Sequence, residues 1–426
     1  MSVNARPSHH AKRKEAASVK TWFVENQIGL SLGFILPVLI AHCFSSARQH
    51  TTKFLTLLYH NPKTGEYGIG FDDVYLVSFL AVFFTGLRDA IMRHVFAPFA
   101  NWYGLSKSKS VRFSEQAWLV VAYAICWPFG MYIYRTSPYW LNLHELWTNW
   151  PNREITGPMK GYMLAQLAFW LHQMIVINIE KRRKDHWQMF SHHVVTIGLI
   201  YCSYRYGHTR VGHVVLILMD ANDVVFTSAK CLKYLKLQTL CDIMFGVFVI
   251  SWIFCRHIAF GMVCWSVYAH TPGIMTTGCF TGSGENISGP VPVPKDERYL
   301  TQPLVSNSGL VCYNPTVKHL FLSGLLFLEG LMIVWFVMIA KLVVRVILGE
   351  NAEDTRSDDE EEEEFEEDQQ PIELEVDGEN LYPHTRRAAV RNGRSRTRQR
   401  SGGASPSTQS DRKRFLDRIG CEKKID

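Results

Sequence analysis

The chain reads as an all-α polytopic membrane protein, on three observations. Apolar runs of bilayer-crossing length recur through its middle, short polar segments separate them, and both ends are strongly polar. The 426 residues are 47% hydrophobic and 13% aromatic. Mean hydropathy nevertheless lies near zero, because polar tails offset an apolar middle.

A spanning helix needs about 20 mostly apolar residues, each rising about 1.5 Å across a core of about 30 Å. About eight runs meet that requirement or approach it: Ile28 to Phe44, Val74 to Phe96, Ala117 to Tyr134, Tyr162 to Ile179, Met189 to Tyr204, Val211 to Ser228, Met244 to Tyr268 and Leu320 to Leu348. The first, third, seventh and eighth stand out by composition. The fifth and sixth are short and carry His and Asp, so composition alone does not establish them. The resulting segments are a basic N-terminus (1–27), two leading spans (28–106), a six-span block (107–348) and a tail (349–426).

Orientation follows from Lys and Arg, which favour the cytosolic side. With a cytosolic N-terminus, the cytosolic segments receive Lys107, Lys109 and Arg112, then Lys181 to Lys184, then Lys230, Lys233 and Lys236. An even number of spans returns the C-terminus to the cytosol. There Lys423 and Lys424 form a dilysine retrieval signal, which implies residence in the endoplasmic reticulum membrane. The sequon Asn286-Ile287-Ser288 then falls in a lumenal loop, as a candidate glycosylation site. Cys279 and Cys312 share that loop and are candidates for a disulfide in an oxidising lumen. The ten cysteines include no CxxC pair, most of them lie in apolar runs, and no cleavable signal peptide is evident.

From Glu350 the composition turns acidic and then basic, as in a disordered cytosolic tail. Ser357 precedes an acidic stretch of the kind that acid-directed kinases favour. The net charge of +6 reads as solvated tails or anionic-lipid contact; nucleic-acid binding does not suit so many spans.

The chemistry concentrates between Glu180 and Leu235. His192 and His193 are adjacent in the fifth span; Asp220 and Asp223 share one face of the sixth. Charged groups inside a span are rare and usually face the bundle interior. His192 lies seven residues from Asp185, and Asp223 seven from Lys230, so both sit roughly 10 Å below the same edge. A carboxylate that accepts one imidazole N–H fixes the tautomer and raises the basicity of the other nitrogen. Such a histidine suits acyl transfer, as general base or as nucleophile. Metal ligation, a structural role and an ion pathway are the competing readings. Neighbouring helix positions point about 100° apart, so the two histidines do not readily share one ion, and no metal is expected.

Three blocks carry a resemblance: RRKDHWQMFSHHVVT, YRYGHTRVGH and LMDANDVVFTSAKCLKYL, with KSKSVRFSEQAW upstream and GLVCYNPT downstream. Over roughly Lys107 to Leu348 the chain resembles the TLC-domain ceramide synthases, the longevity-assurance family, in its fungal form. Trp187 stands where many members carry Phe. The resemblance implies that the third to eighth spans form a bundle around a central cavity, with the first two outside it. It implies that His192, His193, Asp220 and Asp223 are required for activity. The implied reaction is N-acylation of a sphingoid base, sphinganine or phytosphingosine, by a long- or very-long-chain acyl-CoA, with no bound cofactor and an acyl-histidine intermediate as one route. Arg182, Arg183 and Lys184 would meet the CoA phosphates at the cytosolic mouth. Implied partners are membrane lipid, a small single-span regulatory subunit, and a homo- or hetero-dimer with a second catalytic subunit. Two other classes remain as alternatives: a non-catalytic lipid carrier, which has no need of the His/Asp set, and a metal-dependent lipid oxidase or hydrolase, whose repeated HxxHH boxes are missing from the sequence.

Overall fold

Inside a bilayer only a helix satisfies its backbone hydrogen bonds within one segment, so apolar runs of this length become helices. A computed structural model describes residues 21–179, 185–282, 286–305 and 310–348. Helices occupy all eight predicted positions: α1 (Gln27–Cys43), α3 (Asp73–Trp102), α4 (Lys107–Arg135), α5 (Gly157–Ile179), α6 (His186–Arg205), α7 (Thr209–Tyr234), α8 (Gln238–Ala269) and α9 (Pro315–Ile347). An extra polar helix, α2 (Ser45–Leu55), follows α1.

Six of these helices, α3, α4, α5, α7, α8 and α9, are long and apolar enough to cross a membrane. The other two differ in instructive ways. α1 has 17 residues, which span about 26 Å at 1.5 Å per residue. α6 has 20 residues but carries polar side chains along its length. Conversely, α4 begins ten residues before the predicted Ala117, because Ser106 accepts from the Lys109 amide and caps a polar first turn.

The third to eighth spans close into a ring, in the order α4, α5, α6, α9, α8, α7 and back to α4. Close approach is needed at the α4–α7 contact: a Cβ on Gly130 would lie 2.6 Å from the Ile217 methyl. α6 and α7 are joined by a tight turn at Gly207, whose φ of 73° suits glycine. There the His208 amide donates to the Ser203 carbonyl at 2.8 Å, and the Gly207 amide points to Tyr204, which satisfies the last carbonyls of α6. Two small antiparallel sheets sit between spans. β1 (Tyr67–Gly68) pairs β2 (Glu154–Ile155); β3 (Gly278–Thr281) lies between β4 (Ser288–Val291) and β5 (Val311–Tyr313).

The second span lies outside the ring, as expected, and packs against it. Leu76, Val77 and Ala81 of α3 share one apolar core with the ring helices. At one end, Asp73 of α3 contacts the Lys160 ammonium of α5 at 2.8 Å and accepts from Tyr204 of α6 at 2.7 Å. Lys160 also donates to the carbonyls of Leu58 and Gly68, so all three of its N–H groups are used. Its side chain is fully buried. Asp73→Ala would strand that cation, at a cost of about 3–5 kcal/mol. The melting temperature in detergent is therefore expected to fall steeply for Asp73→Ala. The Asp73→Leu/Lys160→Met double variant should recover much of the loss.

Candidate active site

The α6–α7 turn sets the level of the site. His192 lies fifteen residues before Gly207 and Asp223 sixteen after it, so both stand roughly 22–24 Å from the turn on antiparallel helices. His192, His193 and Asp223 line one cavity of about 270 Å³ that all six ring helices enclose. Arg88 of α3, from outside the ring, also reaches its wall. Asp220 is not on this wall: it is fully buried behind Asp223.

The two imidazoles lie 5.6 Å apart, centre to centre. Trp170 of α5 packs edge-on against both, at 5.4 and 5.1 Å, and Trp335 of α9 packs against His192 at 5.4 Å. The rings are thus held by packing. His193 donates from Nδ1 to the Met189 carbonyl at 2.7 Å, one turn back on its own helix. That bond fixes its tautomer and leaves Nε2 with a lone pair. Nδ1 of His192 is buried without a hydrogen-bond partner among the described residues.

The aspartates find partners elsewhere. Asp220 accepts from Gln166 of α5 at 2.6 Å, and the same amide reaches the Tyr162 hydroxyl at 3.1 Å. Asp223 forms an ion pair with Arg256 of α8, whose guanidinium also donates to the Met219 carbonyl at 3.3 Å and lies over the Trp252 ring. Arg256 sits on a π-helical segment, Trp252–Ala259, a distortion common at functional sites. Among the described residues no hydrogen bond joins either aspartate to either histidine, so the carboxylate–imidazole pair expected at these positions does not form. A backbone carbonyl takes that place for His193, and a cation occupies Asp223. Among the described residues, no group of three His, Cys, Asp or Glu side chains is placed to hold a metal ion.

A second space opens beyond the histidines. It is an apolar slot of about 80 Å³ that runs between α6, α7 and α9 towards Trp147 and Tyr313. His192 and Trp170 line both spaces.

Residues 112–341 match the TLC domain family model. The chain is 44% identical to ceramide synthase FUM18 of Gibberella moniliformis over 352 residues, 82% of each chain. It is 41% identical to the sphingosine N-acyltransferase-like protein ALT7 of Alternaria alternata, over 82% of this chain and 78% of that one. Sphingosine N-acyltransferase lag1 of Schizosaccharomyces pombe is 36% identical over 76% of this chain and 77% of its own. The chain belongs to the fungal ceramide synthase family.

Within this fold, several predicted features have definite places. Cys279 and Cys312 face each other across β3 and β5 and form a disulfide. Tyr313, next in sequence, closes the far end of the slot. Asn286 is exposed beside β4. Arg182, Arg183, Lys184, Ser357, Lys423 and Lys424 lie outside the described residues. Arg256 escaped the sequence reading, although a lone arginine inside an apolar run was a visible signal. Trp170, Trp335 and Gln166 carried no such signal.

The lip of the slot also holds a titratable group outside the spans. His208, between α6 and α7, stacks on Trp150 at 5.7 Å, and burial lowers its pKa from 6.5 to about 4. The unfolded chain takes up this proton first, near pH 6.5. Stability is therefore present above that pH and lost as pH falls towards 4. Melting curves in detergent between pH 4 and 8 should show this loss, and His208→Phe should flatten it.

Proposed function

We propose that this acyltransferase transfers a fatty acyl group from acyl-CoA to the amine of a sphingoid base, sphinganine or phytosphingosine, at His192 and His193. The observation that carries the reading is the position of His192 on the boundary between a wider cavity with charged side chains on its wall and an apolar slot. An acyl-CoA divides in the same way: the first carbons of its chain enter the slot, its thioester falls at the imidazole, and its polar portion extends through the wider cavity towards Lys230. Relatives named ceramide synthase and sphingosine N-acyltransferase support the substrate class.

The chemistry balances without a bound cofactor. Neutral imidazole attacks the thioester carbonyl, the C–S bond breaks, and the imidazole proton leaves with the thiolate as CoA-SH. The free amine then attacks the acyl-imidazole, the C–N bond to the ring breaks, and the amine proton returns to the ring. Nε–H of Arg256 is buried without a partner among the described residues and is suited to donate to the carbonyl oxygen as charge develops there. The Asp223 carboxylate holds that guanidinium in place. The second route is direct attack by the amine, with histidine as base; the free Nε2 lone pair on His193 favours keeping it in view. Lys181 to Lys184 as CoA-phosphate ligands, residence in the endoplasmic reticulum with both ends in the cytosol, glycosylation of Asn286, a single-span regulatory subunit and a dimer complete the proposal.

Incubation with acyl-CoA alone should leave an acyl adduct on the protein, detectable by intact-protein mass spectrometry and absent from His192→Ala. An adduct on neither protein, with activity intact, would favour direct attack. Asp223→Asn should lower kcat on the order of a hundredfold or more, as expected for a site that loses its positioned charge. Full activity in that variant would refute the assignment.

A further inference from the structure

A histidine–carboxylate pair does form in the ring, away from the cavity wall. His257, next to Arg256 on the π-helical segment, bonds through Nδ1 to Glu329 of α9 at 2.7 Å. Its Nε2 accepts from the Trp252 indole N–H at 3.2 Å. Indole nitrogen only donates, so Nε2 carries the lone pair and Nδ1 the proton. The tautomer is therefore set from both sides. Trp252 in turn lies beneath the Arg256 guanidinium, 4.6 Å from its ring centre, and lines the cavity. An unbroken series of contacts thus runs from Glu329 through His257, Trp252 and Arg256 to Asp223, across α9, α8 and α7.

Glu329 lies in the middle of α9, an apolar helix of 33 residues. An ionisable side chain there is costly and is by default a sign of function. Its Oε2 is buried without a hydrogen-bond partner among the described residues. A contact that served only to hold α8 against α9 need not carry that penalty, since an uncharged hydrogen-bonding pair would do the same. The π-helical turn adds to the case. It departs from regular helix geometry over the residues that carry Trp252, Arg256 and His257, and so needs outside support to keep its shape.

We infer that Glu329, acting through His257 and Trp252, is a positioning residue for the Arg256–Asp223 pair in the acyl-transfer reaction. Neither Glu329 nor His257 touches the cavity; they hold the segment whose guanidinium does. The inference rests on the catalytic reading of that cavity.

The test compares Glu329→Ala, Glu329→Gln, His257→Ala and the His257→Ala/Glu329→Ala double variant with wild type in full-length enzyme in detergent–lipid micelles. Acyl-CoA and sphinganine are the substrates, and kcat is taken per folded molecule from size-exclusion recovery. Glu329→Ala should lower kcat on the order of tenfold to a hundredfold, with KM for acyl-CoA unchanged, as misplacement of a reacting group does. Glu329→Gln should stay within about threefold, because its amide oxygen still accepts from Nδ1. The double variant should be no worse than His257→Ala alone. If Glu329→Ala does not fold, His257→Phe removes the ring nitrogen bonded to Glu329 without touching the cavity wall, and its kcat should drop several-fold. Wild-type kcat in folded Glu329→Ala or in His257→Phe, or additive losses in the double variant, would overturn the inference. Asp223→Asn measured alongside separates the two claims. Full activity there sinks the site reading itself, whereas an impaired Asp223→Asn beside an unimpaired Glu329→Ala sinks only the role of Glu329.

Discussion

Lipid cannot solvate a polar side chain, so most such groups in this bundle must be answered from within it. Hydrocarbon tails are also as apolar as leucine, so burial alone gives the helices little reason to choose their neighbours. The polar pairs supply that choice. Lys160 and Asp73 join α5 to α3, with Tyr204 adding α6. Gln166 and Asp220 join α5 to α7, Arg256 and Asp223 join α8 to α7, and His257 and Glu329 join α8 to α9. Ring order and site geometry therefore come from the same contacts.

In the proposed reaction the arrangement separates two tasks that one acyl donor imposes. Its chain needs a dry, narrow space, and its head needs a wider one with charged side chains in reach. The ring supplies both and lets them meet at His192. Trp170 and Trp335 hold that imidazole by their edges, which leaves its nitrogens for chemistry. Asp220, fully buried and bonded to Gln166, is placed to hold α7 in register behind the reacting groups.

Much of this was legible in the chain before its fold was known. Span positions followed from apolar runs, and the shared level of His192 and Asp223 followed from counting residues to an edge. What sequence could not disclose was which helix stands beside which. Depth and face are properties of one segment, whereas a partner is a property of the ring. Asp223 was thus expected to meet imidazole and meets the Arg256 guanidinium. Arg256 was hidden further by its π-helical turn, because projection at 3.6 residues per turn misplaces any side chain on such a segment. The span edges show the same limit. α4 runs ten residues beyond its apolar stretch because a serine cap, not hydropathy, decides where a helix begins. Nor did the sequence disclose that the Asp73 cluster would bind the second span to the outside of the ring.

The glycine turn between α6 and α7 makes the site intolerant of changes in length. Each added residue turns the helix by about 100° and advances it by about 1.5 Å. A single insertion between His192 and Gly207 would swing both imidazoles away from the cavity while Asp223 stayed in place. The hairpin is in effect a ruler with its zero at Gly207.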